Sequence, residues 1–107
     1  MIRSDLPPLP EPLPVPTTDA HTHLGSTASG PGLPELDAIA AALAMNITRL
    51  VEVGTDVESS QAAVSLAEAY PEVVGAVAIH PNDAARLGDD LDAELDKLAA
   101  IVASSSK

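Results

Sequence analysis

Two histidines separated by one threonine, in the stretch Asp-Ala-His-Thr-His, are the residues whose types and spacing could do chemistry. Residues 17–21 read as a short strand, and positions i and i+2 of a strand point to the same side of a sheet. His21 and His23 would therefore project together, and two neutral imidazoles on one side form half of a metal site. Asp19 has the same parity, so it could orient an imidazole or support the ligands from behind.

The third histidine, His80, follows an apolar segment at residues 73–79 that reads as a buried strand. Pro81 comes next and favours an extended conformation at residue 80. If the strands are parallel, all three histidines lie at the carboxyl edge of one sheet, where active sites gather. For His80 alone, a hydrogen-bonded structural role or a place in a solvated loop is an equally good interpretation.

Predicted strands and helices alternate along the chain. The strands are predicted at residues 17–21, 48–53 and 73–79, and the helices at residues 34–45, from the 54–58 segment to about Tyr70, and at residues 90–103. Thr55 and Glu58 are spaced as a capping box for the second helix, and His-Pro-Asn-Asp at 80–83 predicts a turn. Alternating strands and helices indicate an α/β fold with three βα units and a parallel sheet.

The 107 residues suffice for one small domain. Residues 1–16 are predicted to form a proline-rich N-terminal tail, and residues 17–107 the domain. The proline segment is extended and cannot enter a sheet interior. A plain tail, or a strap across the bottom of a barrel, is favoured over a partner-binding polyproline segment. The glycine- and serine-rich segment 25–32 predicts an irregular loop.

The net charge of −11, from 16 acidic and 5 basic residues, argues against a non-specific nucleic-acid binder. It does not exclude an enzyme acting on phosphodiesters, because a divalent cation can supply positive charge locally. The absence of cysteine removes disulfides and thiolate nucleophiles. No apolar run approaches the roughly 20 residues of a membrane span, and the N-terminus lacks the features of a secretory signal. A cytoplasmic location is expected.

The sequence resembles a known family in three stretches, DAHTHL at 19–24, VEVGTDVESSQAAVSLAEAY at 51–70 and AIHPND at 78–83. Together they are similar to the N-terminal part of the TatD-type metal-dependent deoxyribonucleases, which are amidohydrolase-like TIM barrels. The resemblance spans about residues 17–98. It implies a partial TIM barrel, the first three βα units with parallel strands.

The same resemblance implies a function and a set of site residues. It implies a hydrolase in which divalent metals, Mg²⁺, Mn²⁺ or Zn²⁺, activate water to cleave the phosphodiester bonds of DNA. His21 and His23 would be metal ligands. His80 would stand near the scissile phosphate as a polar contact and not as a ligand.

Several features depart from the family pattern. Gly25 stands where members usually carry aspartate, Asn82 where a second histidine is common, and Asn46 where a glycine usually breaks the first helix. The chain also stops before the strand whose glutamate bridges the metals and before the later ligands. Two protein ligands are one short of the usual three in a catalytic site. The chain alone is therefore expected to be inactive unless self-association or a partner supplies the missing strands.

Two other functions stay open at this point. One is a non-catalytic fragment or interaction module, whose open sheet edges would invite pairing with other chains. The other is a related amidohydrolase-type enzyme that acts on a small ester or amide, since the His-x-His pair is common to such enzymes.

Overall fold

A computed structural model describes residues 8–25 and 34–107. Its elements are β1 (Thr17–Thr22), α1 (Glu35–Ala44), β2 (Ile47–Val53), α2 (Val57–Ala69), β3 (Val73–Ala76), α3 (Pro81–Leu87), a 3₁₀ turn (Gly88–Asp90) and α4 (Leu91–Ala103). The strands form one parallel sheet in the order β1-β2-β3. This confirms the predicted α/β fold class, a partial TIM barrel made of three βα units. Most of the predicted loop at 25–32, and residues 1–7 of the tail, lie outside the described residues.

The pairing of β1 with β2 is irregular where β1 carries its histidines. Asp19 pairs with Leu50 and Thr22 pairs with Glu52, so three steps along β1 match two steps along β2. This is one extra residue on β1, a β-bulge, which locally disrupts the hydrogen-bond ladder and re-aims side chains. The pairing of β2 with β3 is regular from Leu50 to Val53.

The main core lies between the sheet and the helices α1 and α2. Its buried members are Leu24, Ile39, Leu50, Leu66, Ala67 and Val73. A second cluster of Val64, Leu98 and Ile101 joins α2 to α4. The spacing of apolar residues predicts that Ala63, Leu66, Ala67 and Tyr70 form one stripe on α2. The first three are buried and Tyr70 is partly buried against the core, which confirms the prediction.

The spacing of apolar residues predicts one stripe on α1 and one on α4, and both predictions are only partly correct; the predicted residues are Leu36, Ile39, Ala40 and Leu43 on α1, and Leu91, Leu95, Leu98 and Val102 on α4. In α1 Ile39 is buried, but Ala40 is exposed, Leu36 is 59% exposed and Leu43 is 40% exposed. The helix turns Ile39 toward the core, together with Ala38 and Ala42. In α4 the buried residues are Leu98 and Ile101, whereas Leu95 and Val102 are exposed.

The helix α2 begins one residue later than its predicted capping box. Asp56, not Thr55, is the N-cap, and its Oδ1 accepts a hydrogen bond from the backbone N–H of Ser59 at 2.7 Å. The Ser59 hydroxyl oxygen accepts from the N–H of Asp56 at 3.0 Å, which completes the box. An aspartate is preferred here because its negative charge also interacts with the helix dipole.

The third strand is shorter than predicted, and the predicted turn after it is a helix. β3 ends at Ala76, because β2 turns away toward α2 at Gly54 and no longer forms backbone hydrogen bonds with β3 beyond that point. Beyond it, the hydroxyl of Ser60 bonds both the N–H and the carbonyl of Ala78, at 3.1 and 3.2 Å. Residues 81–87 form α3, with Pro81 in its first turn, a position where proline is favoured.

The proline-rich segment is tied to the amino edge of the sheet. Leu13 donates its N–H to the carbonyl of Met45 at 3.0 Å and accepts from the side-chain amide of Asn46 at 3.0 Å. Asparagine directly after the apolar stripe of the first helix predicts a left-handed helix end at Asn46, and its φ of 66° confirms this. Within the described ranges, none of the helices has the length and apolar character needed to cross a membrane.

Candidate metal centre

The two histidines of β1 lie side by side at the carboxyl edge of the sheet. The Nε2 atoms of His21 and His23 are 3.2 Å apart, and the two rings meet edge to face with their centroids 5.0 Å apart. The predicted projection of both rings to one side is therefore confirmed. Two nitrogen ligands about 2.0–2.1 Å from one ion, at a tetrahedral angle, would lie about 3.3–3.4 Å apart, so the pair fits a shared metal ion.

A contact with β2 orients the ring of His23. Its Nδ1 lies 2.9 Å from the carbonyl oxygen of Val53. A carbonyl only accepts hydrogen bonds, so Nδ1 carries the proton and the Nε2 of the neutral ring keeps its lone pair. This is the arrangement in which a histidine binds a metal through Nε2 while its other nitrogen is held by the protein.

Asp19 contacts the backbone of the histidine segment. Its Oδ1 accepts from the N–H of His21 at 3.1 Å. This bond holds the chain at the bulge, where the ladder is irregular, and so supports the position of His21. A role for Asp19 behind the metal ligands stays a prediction.

The structure adds one residue that the sequence did not single out, Glu52 on β2. Its side chain is buried, with 7% of its surface exposed. One carboxylate oxygen accepts from the N–H of Leu24 at 2.7 Å and the other from the N–H of Gly25 at 3.3 Å. The sequence did contain a signal for this burial: Glu52 is an acid within an apolar strand and lies two positions after Leu50, so both side chains share one face of the strand. Such an acid usually faces solvent, and the donors that compensate its burial come from a distant segment.

His80 also lies at the carboxyl side of the sheet, but its ring is oriented differently. It is exposed and forms the N-cap of α3, where its Nδ1 accepts from the N–H of Asn82 at 3.1 Å. Its own N–H donates to the carbonyl of Thr55 at 2.7 Å. Since Nδ1 is an acceptor, the neutral ring carries its proton on Nε2 and presents a donor to solvent.

A cavity of about 550 Å³ opens at this edge between the ends of β1 and β2 and the start of α2. Its lining includes His23, Gly25, Glu52, Thr55 and Ser59. The cavity borders His23 of the histidine pair, and its lining offers carboxylate and hydroxyl groups rather than cationic ones.

The described ranges contain no complete metal centre. Among residues 8–25 and 34–107, no group of three or more His, Cys, Asp or Glu side chains is placed to hold one ion. His21 and His23 are thus a two-nitrogen half-site, and His80 is not grouped with them. Metal binding by the pair, and phosphate contact by His80, stay predictions.

The family model for the TatD related DNases matches residues 18–106. The chain belongs to the TatD-related DNase family. The matched range includes all three histidines, β1 without Thr17, the strands β2 and β3, and the helices α1 to α4. The resemblance drawn from the motif at 19–24 is therefore confirmed.

A relative in Mycobacterium tuberculosis, named "Uncharacterized metal-dependent hydrolase TatD", is 37% identical to this TatD-family chain over 82 residues. The aligned part covers 77% of this chain and 31% of the relative, so the chain spans about a third of the relative's length. No solved structure matches the chain at a significant level.

Proposed function

We propose that this chain contributes the first two ligands of a divalent-metal centre that hydrolyses phosphodiester bonds of DNA. The observation that carries the proposal is the histidine pair, with Nε2 atoms 3.2 Å apart and the His23 ring held through Nδ1 by Val53. The membership of the TatD-related DNase family and the name of the mycobacterial relative support a metal-dependent hydrolase.

Each of the three histidines has a separate part in this proposal. His21 and His23 would hold the cation, Mg²⁺, Mn²⁺ or Zn²⁺, through their Nε2 atoms. A bound divalent cation supplies an activated water for hydrolysis and neutralises phosphate charge. His80 would donate from Nε2–H to a phosphate oxygen, since Asn82 already occupies its Nδ1. The cation would also offset the chain's net charge of −11, which otherwise repels DNA.

The centre needs further ligands from outside the described ranges. Two protein ligands are one short of the three that catalytic sites commonly use. We propose that a second chain, either another copy or a partner carrying further barrel strands, completes the site. The chain by itself is then inactive on DNA. A cytoplasmic location is part of the same proposal, as is the assignment of residues 17–107 to one barrel-type domain.

Calorimetric titration of the purified chain with Mn²⁺, Mg²⁺ and Zn²⁺ tests the histidine pair, with light scattering to follow its size. We expect binding that is lost in both His21→Ala and His23→Ala and kept in His80→Ala, the matched control. Binding that survives both ligand substitutions would contradict the proposal.

A nuclease assay tests the substrate class separately. We expect no metal-dependent cleavage of single-stranded or double-stranded DNA by the chain alone, and cleavage when the completing strands are supplied. Cleavage of small esters without cleavage of DNA would instead identify a related amidohydrolase-type enzyme. Cleavage of DNA by the isolated chain, abolished by His21→Ala, would show that two histidines and solvent suffice.

A further inference from the structure

Glu52 is the one charged side chain that is buried within the described ranges. A buried carboxylate is costly unless hydrogen bonds compensate its lost hydration. Here both oxygens are used, Oε1 by the N–H of Leu24 and Oε2 by the N–H of Gly25. The two donors are consecutive and directly follow His23, so the carboxylate holds the backbone at the point where the histidine pair ends.

The sheet itself does not hold this backbone. β1 ends at Thr22, and its ladder with β2 is already interrupted by the bulge between Asp19 and Thr22. His23 therefore lies beyond the last paired residue. Its position depends on contacts other than the regular strand hydrogen bonds.

Two consecutive residues of β2 supply those contacts. Glu52 binds the backbone just after His23, and the carbonyl of Val53 accepts from the ring Nδ1 of His23 at 2.9 Å. Backbone and ring are thus fixed from the same strand. A shift of the 24–25 backbone would move the ring away from Val53 and turn its Nε2 away from His21.

We infer that Glu52 is a positioning residue for the histidine pair. It acts through the N–H groups of Leu24 and Gly25 and keeps His23 in the tautomer and orientation that direct its Nε2 toward His21. The inference rests on the proposed metal binding for its functional consequence, but its structural content applies to the metal-free chain.

The test compares the parent chain with Glu52→Gln and Glu52→Ala. Glutamine keeps the size of the side chain but has one carboxamide oxygen, so one of the two N–H groups loses its acceptor. Alanine removes both acceptors. Long-range ¹H–¹⁵N spectra of the metal-free histidines report the tautomer of His23, and calorimetry with Mn²⁺ and Zn²⁺ reports metal affinity.

We expect His23 to be in the Nδ1–H tautomer in the parent and to become a mixture of tautomers in both variants. Metal affinity should fall about 10- to 100-fold, the range seen when residues that orient a ligand are replaced. Glu58→Gln is the matched control, because it removes the same charge from an exposed position bordering the same cavity. It should keep the parent tautomer and most of the affinity.

The outcomes separate this inference from the proposed function. If the parent binds no metal, the proposed function fails, while the tautomer in the metal-free variants still decides the role of Glu52. If both variants keep the parent tautomer, Glu52 only stabilises the fold and the inference is overturned. Should the variants not fold, amide exchange in the parent decides. Slow exchange of the Leu24 and Gly25 amide protons supports the positioning role of Glu52, and exchange as fast as in an unstructured peptide overturns it.

Discussion

The imidazole of His23 donates from Nδ1 to the carbonyl oxygen of Val53, 2.9 Å away on the neighbouring strand. His21, by contrast, is exposed and contacts the chain through its backbone N–H and through the Nε2 of His23. Both histidines are candidate metal ligands, but only the ring of His23 also forms a hydrogen bond to the neighbouring strand. That difference can be measured without metal.

Replacing His23 by alanine should cost about 1 kcal/mol of metal-free stability, because the hydrogen bond from its ring to the carbonyl of Val53 is lost. His21→Ala should change the free energy of unfolding by less than about 0.5 kcal/mol, since it deletes an exposed ring. Urea unfolding in the presence of a chelator measures both values. A larger loss in His21→Ala than in His23→Ala would show that His21 is the structural histidine.

Ser60→Ala should destabilise the chain by about 1–3 kcal/mol. Ser60 is fully buried, and its hydroxyl is the partner of both the N–H and the carbonyl of Ala78. Without it, two partly buried backbone groups of Ala78 lose a hydrogen bond. Thermal unfolding should show a fall of roughly 4–8 °C for each kcal/mol lost. The control is Ser65→Ala on the exposed side of α2, and an equal effect there would argue against the assignment.

Gly54→Ala should be among the most damaging single substitutions, costing at least about 3 kcal/mol. A Cβ at this position would lie 2.3 Å from the Oγ of Ser60 and 2.6 Å from its Cα. The second clash is with backbone, so adding Ser60→Ala should not restore stability. Gly25→Ala is the matched control, because its Cβ would meet its nearest neighbour, a Glu52 oxygen, at 4.0 Å. Circular dichroism during thermal unfolding measures all three variants.

Recovery of the Gly54→Ala variant by Ser60→Ala would contradict this reasoning. It would show that α2 can move away from the end of β2, so that the new Cβ clashes only with the Ser60 hydroxyl and not with the Ser60 backbone.

The cap of α2 should make stability depend on pH in the acid range. The hydroxyl and the backbone N–H of Ser59 both donate to Asp56 and hold its pKa below the usual 3.8. Because the folded pKa is the lower one, the cap's contribution is fully present above the unfolded value and is lost as pH falls through the folded value. Asp56→Ala should cost about 0.5–2 kcal/mol at neutral pH.

Asp56→Asn is the control for this pH effect, since asparagine caps a helix but does not titrate. Melting temperatures of the parent and of Asp56→Asn, measured between neutral pH and pH 2, should converge as the medium becomes acid. A difference that stays constant over that range would place the acid sensitivity in another carboxylate.

The sequence by itself determined the local geometry of the histidine pair. The spacing of two residues predicts His21 and His23 on the same side, and the structure confirms it although His23 lies just beyond the end of β1. The alternation of strands and helices predicts a parallel sheet with its carboxyl edge at the histidines. Asn46 marked the end of α1 for an equally local reason, because asparagine tolerates the left-handed conformation. These properties depend on residues close together in the chain, so they can be read from it.

Only the tertiary structure decided how the pair is held. The burial of Glu52 is explained by the N–H groups of Leu24 and Gly25, almost thirty residues earlier, and the tautomer of His23 by a carbonyl on the next strand. The length of β3 likewise depended on where β2 turns away at Gly54. The side of α1 that is buried depended on which of its residues could pack against the core residues of the sheet. Each of these is a contact between distant segments, whose free energy exists only once the sheet has brought the segments together.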